Sequence, residues 1–351
     1  TVTIPNSVTT TDEYAFNGCI KLNNVDLPNE IKIINGYAFE NCVSFTKFTL
    51  PNKIESIAQH FISGCPLIRT IIIPKSLQKI RSGGSNHYPF AGSSIEQVTF
   101  EEGTTKVIDY MFYGDVTSLK KVILPDSLTS IGRYSFHSCS SLTQINVPDN
   151  VESIGSYAFH GCSSLTTINI PNKLTIINTY TFRGCSLLAQ ASIPDSVTVL
   201  DDYCFEGCIS LTQINIPINA TKIGVYAFSK TSITTVTITN KIKQISYDAF
   251  ANCKQLVSVF IPENVTSIGT EAFISCERLK TINIPPGITI IRGSTFRYCY
   301  RLNQLFLPQS IEIIETYAFA HSGISSINLP EKITKIDSYL FYNCTKLSEI
   351  I

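Results

Sequence analysis

Residues 142–164 read LTQINVPDNVESIGSYAFHGCSS, and Leu165 begins the same sentence again as LTTINIPNKLTIINTYTFRGCSL. Ile145 and Val147 alternate with Asn146, which is the two-residue period of a strand with one buried face. Pro148 ends that strand, because proline has no N–H to give to a ladder. Val151 and Ile154 enclose a polar pair and read as a second short extended or turn segment. From Ser156 to Cys162 the chain turns Ala158, Phe159 and Cys162 inward and carries Gly161 near its close. One or two helical or 3₁₀ turns are expected there. A unit this small cannot bury its own Leu, Ile, Val and Phe, so it has to stack on copies of itself.

The copies are present along the whole chain. The slot of Phe159 is filled by Phe16, Phe39, Ile62, Phe90 and Phe112 on one side and by further phenylalanines down to Phe341 on the other. Most steps are 23 residues, with a few of 22 or 24, and prolines from Pro5 to Pro330 keep the same period. Such a period lies in the range of leucine-rich repeats. The expected fold is a leucine-rich-repeat solenoid of about 15 coils of ~23 residues, with a parallel β-sheet on one face and short strands and turns on the other. Residues 1–351 then form a single solenoid domain, irregular near 81–106, where extra residues between Ile80 and Phe90 are expected to form an outward loop. The chain opens and closes inside strands, so the stack is expected to continue beyond it.

The recurring Pro148, Ile154, Ala158-Phe159-His160-Gly161-Cys162 and Leu165-Thr-Thr-Ile168-Asn-Ile170 closely resemble the BspA-like leucine-rich-repeat family, and the resemblance covers nearly the whole chain. It implies a secreted or cell-surface protein, such as those of mucosal bacteria and protozoan parasites, engaged in adhesion and host interaction. The implied partner is a host extracellular-matrix or cell-surface protein, or a glycan. The family does not imply an enzyme.

Composition narrows the function in the same direction. Net charge is +0 and charged residues make up 15% of the chain. A nucleic-acid binder would need a basic face, which is missing. No apolar run is long enough for a transmembrane helix, so membrane insertion is not expected of this chain. Eleven of the 12 cysteines share the slot of Cys162, three after the Phe slot. Equivalent side chains in parallel coils point the same way, whereas a disulfide needs Cβ atoms that face each other. Buried free thiols, packing as small hydrophobes, are expected. Three repeats lack the cysteine and have one residue fewer before the next aliphatic, at Phe90–Ile95, Phe228–Ile233 and Phe319–Ile324. The shorter turn is expected to need no inward side chain. His137 and His160, in equivalent slots of adjacent coils, read as solvated neighbours. No metal ligand set, cofactor loop or catalytic dyad follows from the spacing.

The outward centre of the strand column remains. It is mostly small and polar, with Asn146, Asn169 and Asn215 among its residues, and it carries large apolar exceptions at Ile72, Ile123, Phe260 and Phe306. Apolar residues standing open on a concave wall mark a binding patch. Lys47, Lys120, Lys121 and Lys280 tint the same face basic. The Asn and Thr runs also suit side-chain ladders between coils. The function expected is a non-catalytic binding or adhesion scaffold; the alternative is a spacer that presents another segment.

Overall fold

In a computed structural model of the chain, residues 2–81, 88–114 and 116–351 are described. The chain is a parallel β-solenoid of about 15 turns, repeating about every 23 residues. It divides into two compact units, Thr1–Lys173 and Leu174–Ile351.

Most coils place two short strands, one on each of two faces, and on each face the strands pair in parallel ladders. In the first unit, one ladder contains Thr70–Ile73, Gln97–Phe100, Lys121–Ile123, Gln144–Ile145 and Thr167–Asn169. The other contains Lys106–Val107, Ser130–Ile131 and Ser153–Ile154. In the second unit the ladder of Thr235–Thr237, Ser258–Phe260 and Thr281–Ile282 is matched by that of Ile176–Ile177, Val199–Leu200 and Lys222–Ile223. Register advances by one coil: Val122 pairs with Ile145, Ile131 with Ile154 and Val236 with Val259. It is kept across the long repeat, where Ile71 pairs with Val98. The extra residues 82–87, and the loop expected of them, lie outside the described residues. Most of the periodic prolines also open a turn, as in the Val151 N–H donating to the Pro148 carbonyl at 3.0 Å.

The third side of the coil differs from the helical turns expected. The described residues there are turns, with almost no helix in the chain. Successive amides alternate in direction. Ala158, His160 and Cys162 donate back three residues to Gly155, Tyr157 and Phe159. In the coil before, Tyr134, Phe136 and Ser138 donate forward to the carbonyls of Ser156, Ala158 and His160 at 3.1, 2.9 and 2.7 Å. A helix would aim all these N–H groups along its own axis and leave none for the neighbouring coil. The alternation comes from two left-handed residues per turn. One is two before the Phe slot, as at Tyr134 (φ 56) and Tyr157 (φ 60), and one is two after it, as at Ser138 (φ 59) and Gly161 (φ 72). An L-tyrosine in this region is unfavourable by itself. Here the tyrosine rings stack face to face: Tyr134 lies 5.0 Å from Tyr110 and 4.3 Å from Tyr157 between centroids. Tyr203 holds the same place in the second unit, 4.6 Å from Tyr180 and 4.9 Å from Tyr226.

Inside, the phenylalanines form the expected column, with Phe136 5.5 Å from Phe112 and 5.4 Å from Phe159. Phe250 and Phe273 in the second unit are 5.6 Å apart and nearly parallel. All these rings are fully buried, each contributing about 1.5–3 kcal/mol of burial. The cysteines are free thiols, ten of them buried, and Cys204 is one of these. They are more than small hydrophobes. The Cys162 S–H donates to the Phe136 carbonyl of the preceding coil at 3.1 Å, and Cys276 does the same to Phe250 at 3.3 Å. The shorter turns depart from expectation. Their slot is kept and is filled by Ser93, Thr231 and Ser322, all buried. The Thr231 hydroxyl donates to the Phe228 carbonyl at 2.8 Å and lies 3.3 Å from the Cys253 sulfur. The missing residue is therefore taken from the exposed corner after this slot.

Candidate functional site on the strand face

The side chains of the longer-strand ladder alternate between core and solvent, and the outward positions form one surface in each unit. On the first unit, Ile72 is 61% exposed and Ile123 39%, two coils apart with Thr99 between them. On the second, Phe260 is 56% exposed and Phe306 79%, again two coils apart, with Asn283 between them. These four side chains are placed where the alternation puts them, in the open. Burying Val259 and Leu305 forces Phe260 and Phe306 outward, since neighbours along a strand face opposite sides.

The asparagines of the same column are exposed at Asn146, Asn169 and Asn215, but two of those three are already engaged. Asn169 Oδ1 accepts the Val147 N–H at 2.9 Å, and Asn169 Nδ2 donates to the Val147 carbonyl. Asn215 does the same to Ile193, accepting at 3.1 Å and donating at 2.6 Å. Asn283 holds Ile261 in the same way at 2.9 and 2.6 Å. The side-chain ladders expected of this column are thus staples from an amide to the backbone of the preceding coil. The strands Gln213–Ile214 and Thr281–Ile282 end just before their stapling asparagines, whereas Thr167–Asn169 includes its own. A stapled amide keeps one N–H and one lone pair for a ligand.

The second unit carries several depressions on this face. One, of about 460 Å³, is lined mainly by polar residues, Gln190, Ser192, Gln213, Asn215, Thr234 and Thr235, with Ala191 and Ile214 among them. Another is a groove of about 1020 Å³ beside Phe306, lined also by Lys280, Thr281, Asn283, Arg301, Asn303 and Gln304. Reading only the strand centre misses Arg301 and Asn303. They lie on the approach to the strand, where the corner after Cys299 swings polar residues onto the same face, and their polar spacing before Leu305 is the only signal for them.

Charge is arranged differently around the two apolar pairs. Beside Ile72 and Ile123, Arg69 and Lys120 both hold Glu96, at 3.0 and 2.9 Å. In the second unit Lys254 pairs with Glu277 and Arg292 with Glu315. Lys280 and Arg301 enter no ion pair among the described residues. The groove's cations are free of carboxylates.

The histidines differ from the expected solvated pair. His137 and His160 are half-buried, stacked at 4.6 Å, and joined by a 2.9 Å hydrogen bond between His137 Nε2 and His160 Nδ1. The Ser138 hydroxyl lies 3.0 Å from His137 Nδ1, and burial lowers the His137 pKa.

Comparison with known proteins agrees with this geometry. A leucine-rich repeat protein from Bacteroides ovatus is 28% identical, over 100% of this chain and 92% of its own, with a TM-score of 0.81. A leucine-rich repeat protein from Eubacterium ventriosum, 22% identical over 89% of this chain and 86% of its own, has a TM-score of 0.55 and shares the fold. A leucine rich cell surface protein from Faecalibacterium prausnitzii is 27% identical over 99% of this chain and 86% of its own, with a TM-score of 0.40. No match was found among curated proteins. The family model of the BspA type leucine rich repeat region matches residues 1–117, 105–231 and 221–348. Stacked by period, by proline and by thiol, the chain belongs to the BspA type leucine-rich-repeat family.

Proposed function

We propose that this chain is a non-catalytic scaffold that binds another macromolecule at the cell surface or outside the cell, through its strand face. One observation carries the reading: Phe260 and Phe306 stand 56% and 79% exposed on a strand surface of the second unit that is otherwise mostly polar. Large open aromatics gain most from being covered, and interface energy concentrates on such anchors. The stack supports them rigidly, which lowers the ordering cost of binding. The partner class is a matrix or cell-surface protein, or a glycan, as the family membership supports. The test is a panel of immobilised matrix proteins and glycans, probed with the chain and with Phe260→Ala and Phe306→Ala. Each substitution is expected to weaken binding by more than about 1 kcal/mol. A ligand bound equally well by both variants would place the contact elsewhere and sink the reading.

A further inference from the structure

Two joints of the second unit show what a complete coil-to-coil connection contains. Residues 239–261 and 262–284 are joined on one face by Ile245 pairing with Ile268, and on the other by Val259 pairing with Ile282. Residues 285–307 and 308–329 are joined by Ile291 with Ile314 and by Leu305 with Ile327. Between these two joints lies a seam. Across it, Ser267–Ile268 and Ile290–Ile291 belong to separate ladders, and so do Thr281–Ile282 and Gln304–Leu305. Among the described residues, no other joint within either unit is interrupted on both faces.

The donors agree with the ladders. Gly269 and Glu315 donate to the carbonyls of Ile245 and Ile291, each at 2.9 Å, and Lys280 and Ser325 donate to Val257 and Asn303 at 2.8 and 2.9 Å. The equivalent amides at the seam are Arg292 and Asn303. Among the described residues they make no backbone bond to Ile268 or Lys280. Side chains leave the same gap. Asn264 Nδ2 donates to the Ile242 carbonyl at 2.8 Å, and the Ser310 hydroxyl to Ile288 at 2.7 Å. The slot between them holds Gly287, which has no side chain to offer Val265. Asn283 staples Ile261, but the next coil has Phe306 in the stapling slot. The stacked tyrosines are missing too, since Glu271 and Ser294 take their left-handed slot on the two sides of the seam.

Only the turn side stays fastened. Glu271, Phe273 and Ser275 donate to the carbonyls of Gly293, Thr295 and Arg297 at 3.1, 3.2 and 2.8 Å. The Cys299 S–H donates to the Phe273 carbonyl at 3.3 Å. Phe273 and Phe296 lie 6.0 Å apart, wider than the 5.6 and 5.8 Å of the ring pairs before and after them.

A joint bonded on one side tilts about that side without breaking a ladder bond. We infer that this seam is a hinge: the stack flexes between residues 262–284 and 285–307, opening on its strand faces about the bonded turns. The groove of about 1020 Å³ is its mouth, with Thr281, Ile282 and Asn283 on one lip and Asn303, Gln304 and Phe306 on the other. Flexing therefore sets the groove's width and moves Phe306 relative to Asn283. The hinge does not rest on the strand-face reading, and its test uses no ligand.

The experiment measures distances between two nitroxide labels by pulsed dipolar spectroscopy in the full chain. Cys19→Ser and Cys344→Ser remove the partly exposed thiols, and the other ten are buried. One labelled pair, Thr235→Cys with Ser326→Cys, spans the seam. The control, Thr70→Cys with Thr167→Cys, occupies the same strand slot in the first unit, where the ladder is unbroken. Each pair is four coil steps apart, roughly 19 Å at the spacing of strands. The distribution across the seam should be about twice as broad as the control or more. Gly287→Ser with Phe306→Asn supplies the missing corner bond and the missing staple. It should narrow the distribution to the control's width and slow hydrogen exchange at the Ile284 amide, which the new asparagine would hold. Equal widths in the two pairs overturn the inference. So does a seam that stays as broad after slowed exchange at Ile284 shows the staple formed.

Discussion

Cys162 has no exposed surface, and its S–H is spent on the Phe136 carbonyl of the coil before it. Burial pushes its pKa up to about 12, and that of Cys253 likewise, so neither forms the reactive thiolate near neutral pH. With native protein, a thiol reagent should modify Cys19 and Cys344, the two partly exposed thiols, and reach the ten buried ones only after denaturation. Rapid native labelling of all 12 would contradict the packing. Cys162→Ala should lower stability by about 1–2 kcal/mol, since both the sulfur's contacts and its hydrogen bond go. Asp248 is the opposite case, a residue at odds with its place. It takes the left-handed slot of the tyrosines at φ 51, is buried, and leaves Oδ2 without a hydrogen bond. Burial raises its pKa, against the pull of the Tyr226 and Tyr247 phenols and with a smaller push from Glu271. The folded carboxyl thus holds its proton more tightly than the unfolded one. Its contribution is intact below the unfolded value of about 3.9 and is lost as pH rises through the raised folded value. Asp248→Asn suits a left-handed backbone and carries no charge. It should raise the melting temperature at pH 7 and change it little at pH 3; an equal gain at both would rule out the carboxylate as the cause.

At the scale of the coil, the turn shows what the sequence can and cannot disclose. The 23-residue period, the strand alternation and the Phe and Cys columns were legible because stacking forces equivalent positions to make equivalent contacts. Gly161 also signalled a left-handed residue near the turn's end. Tyr157 gave no such signal, since tyrosine is a poor left-handed residue in isolation. Its conformation is stabilised by rings in neighbouring coils, which no single repeat displays. The same holds for Asn169, whose partner lies 22 residues back at Val147. The candidate patch was half legible: Phe260 and Phe306 follow from alternation, while the freedom of Lys280 and Arg301 depends on which acids lie nearby in space. Substitutions at Tyr134 separate the two terms. Tyr134→Ala loses the stack on Tyr110 and Tyr157 and keeps the left-handed strain, whereas Tyr134→Gly loses the stack and relieves the strain. The glycine variant should be more stable than the alanine variant by about 1 kcal/mol, both lying below the parent. Denaturant melts giving the reverse order would refute a left-handed requirement at this slot.

At the scale of the molecule, every described contact that defines a coil is made to the coil before or after it. The registers state this directly, since Val107 pairs with Ile131 and Ile131 with Ile154. Stability is then a sum over coils and the interfaces between neighbours, with no distant pairing to satisfy. Coils are accordingly interchangeable in register but not divisible. Deleting residues 125–147, from Pro125 to Val147, joins Leu124 to Pro148 and removes one whole period. The ladder can close again because Val107 meets in Ile154 the partner that it had in Ile131. The Phe column loses Phe136 and brings Phe112 against Phe159, ring against ring. The shortened chain should fold with an unchanged far-ultraviolet spectrum per residue. It should protect one thiol fewer, because Cys139 leaves with the coil, and its denaturant slope should fall with the surface removed. Deleting only residues 125–136 ends within a turn and sets strand against corner across the cut. That variant should lose thiol protection in the coils on both sides. If the half-coil deletion were as well protected as the whole-coil one, nearest-neighbour register would not be what holds this stack together.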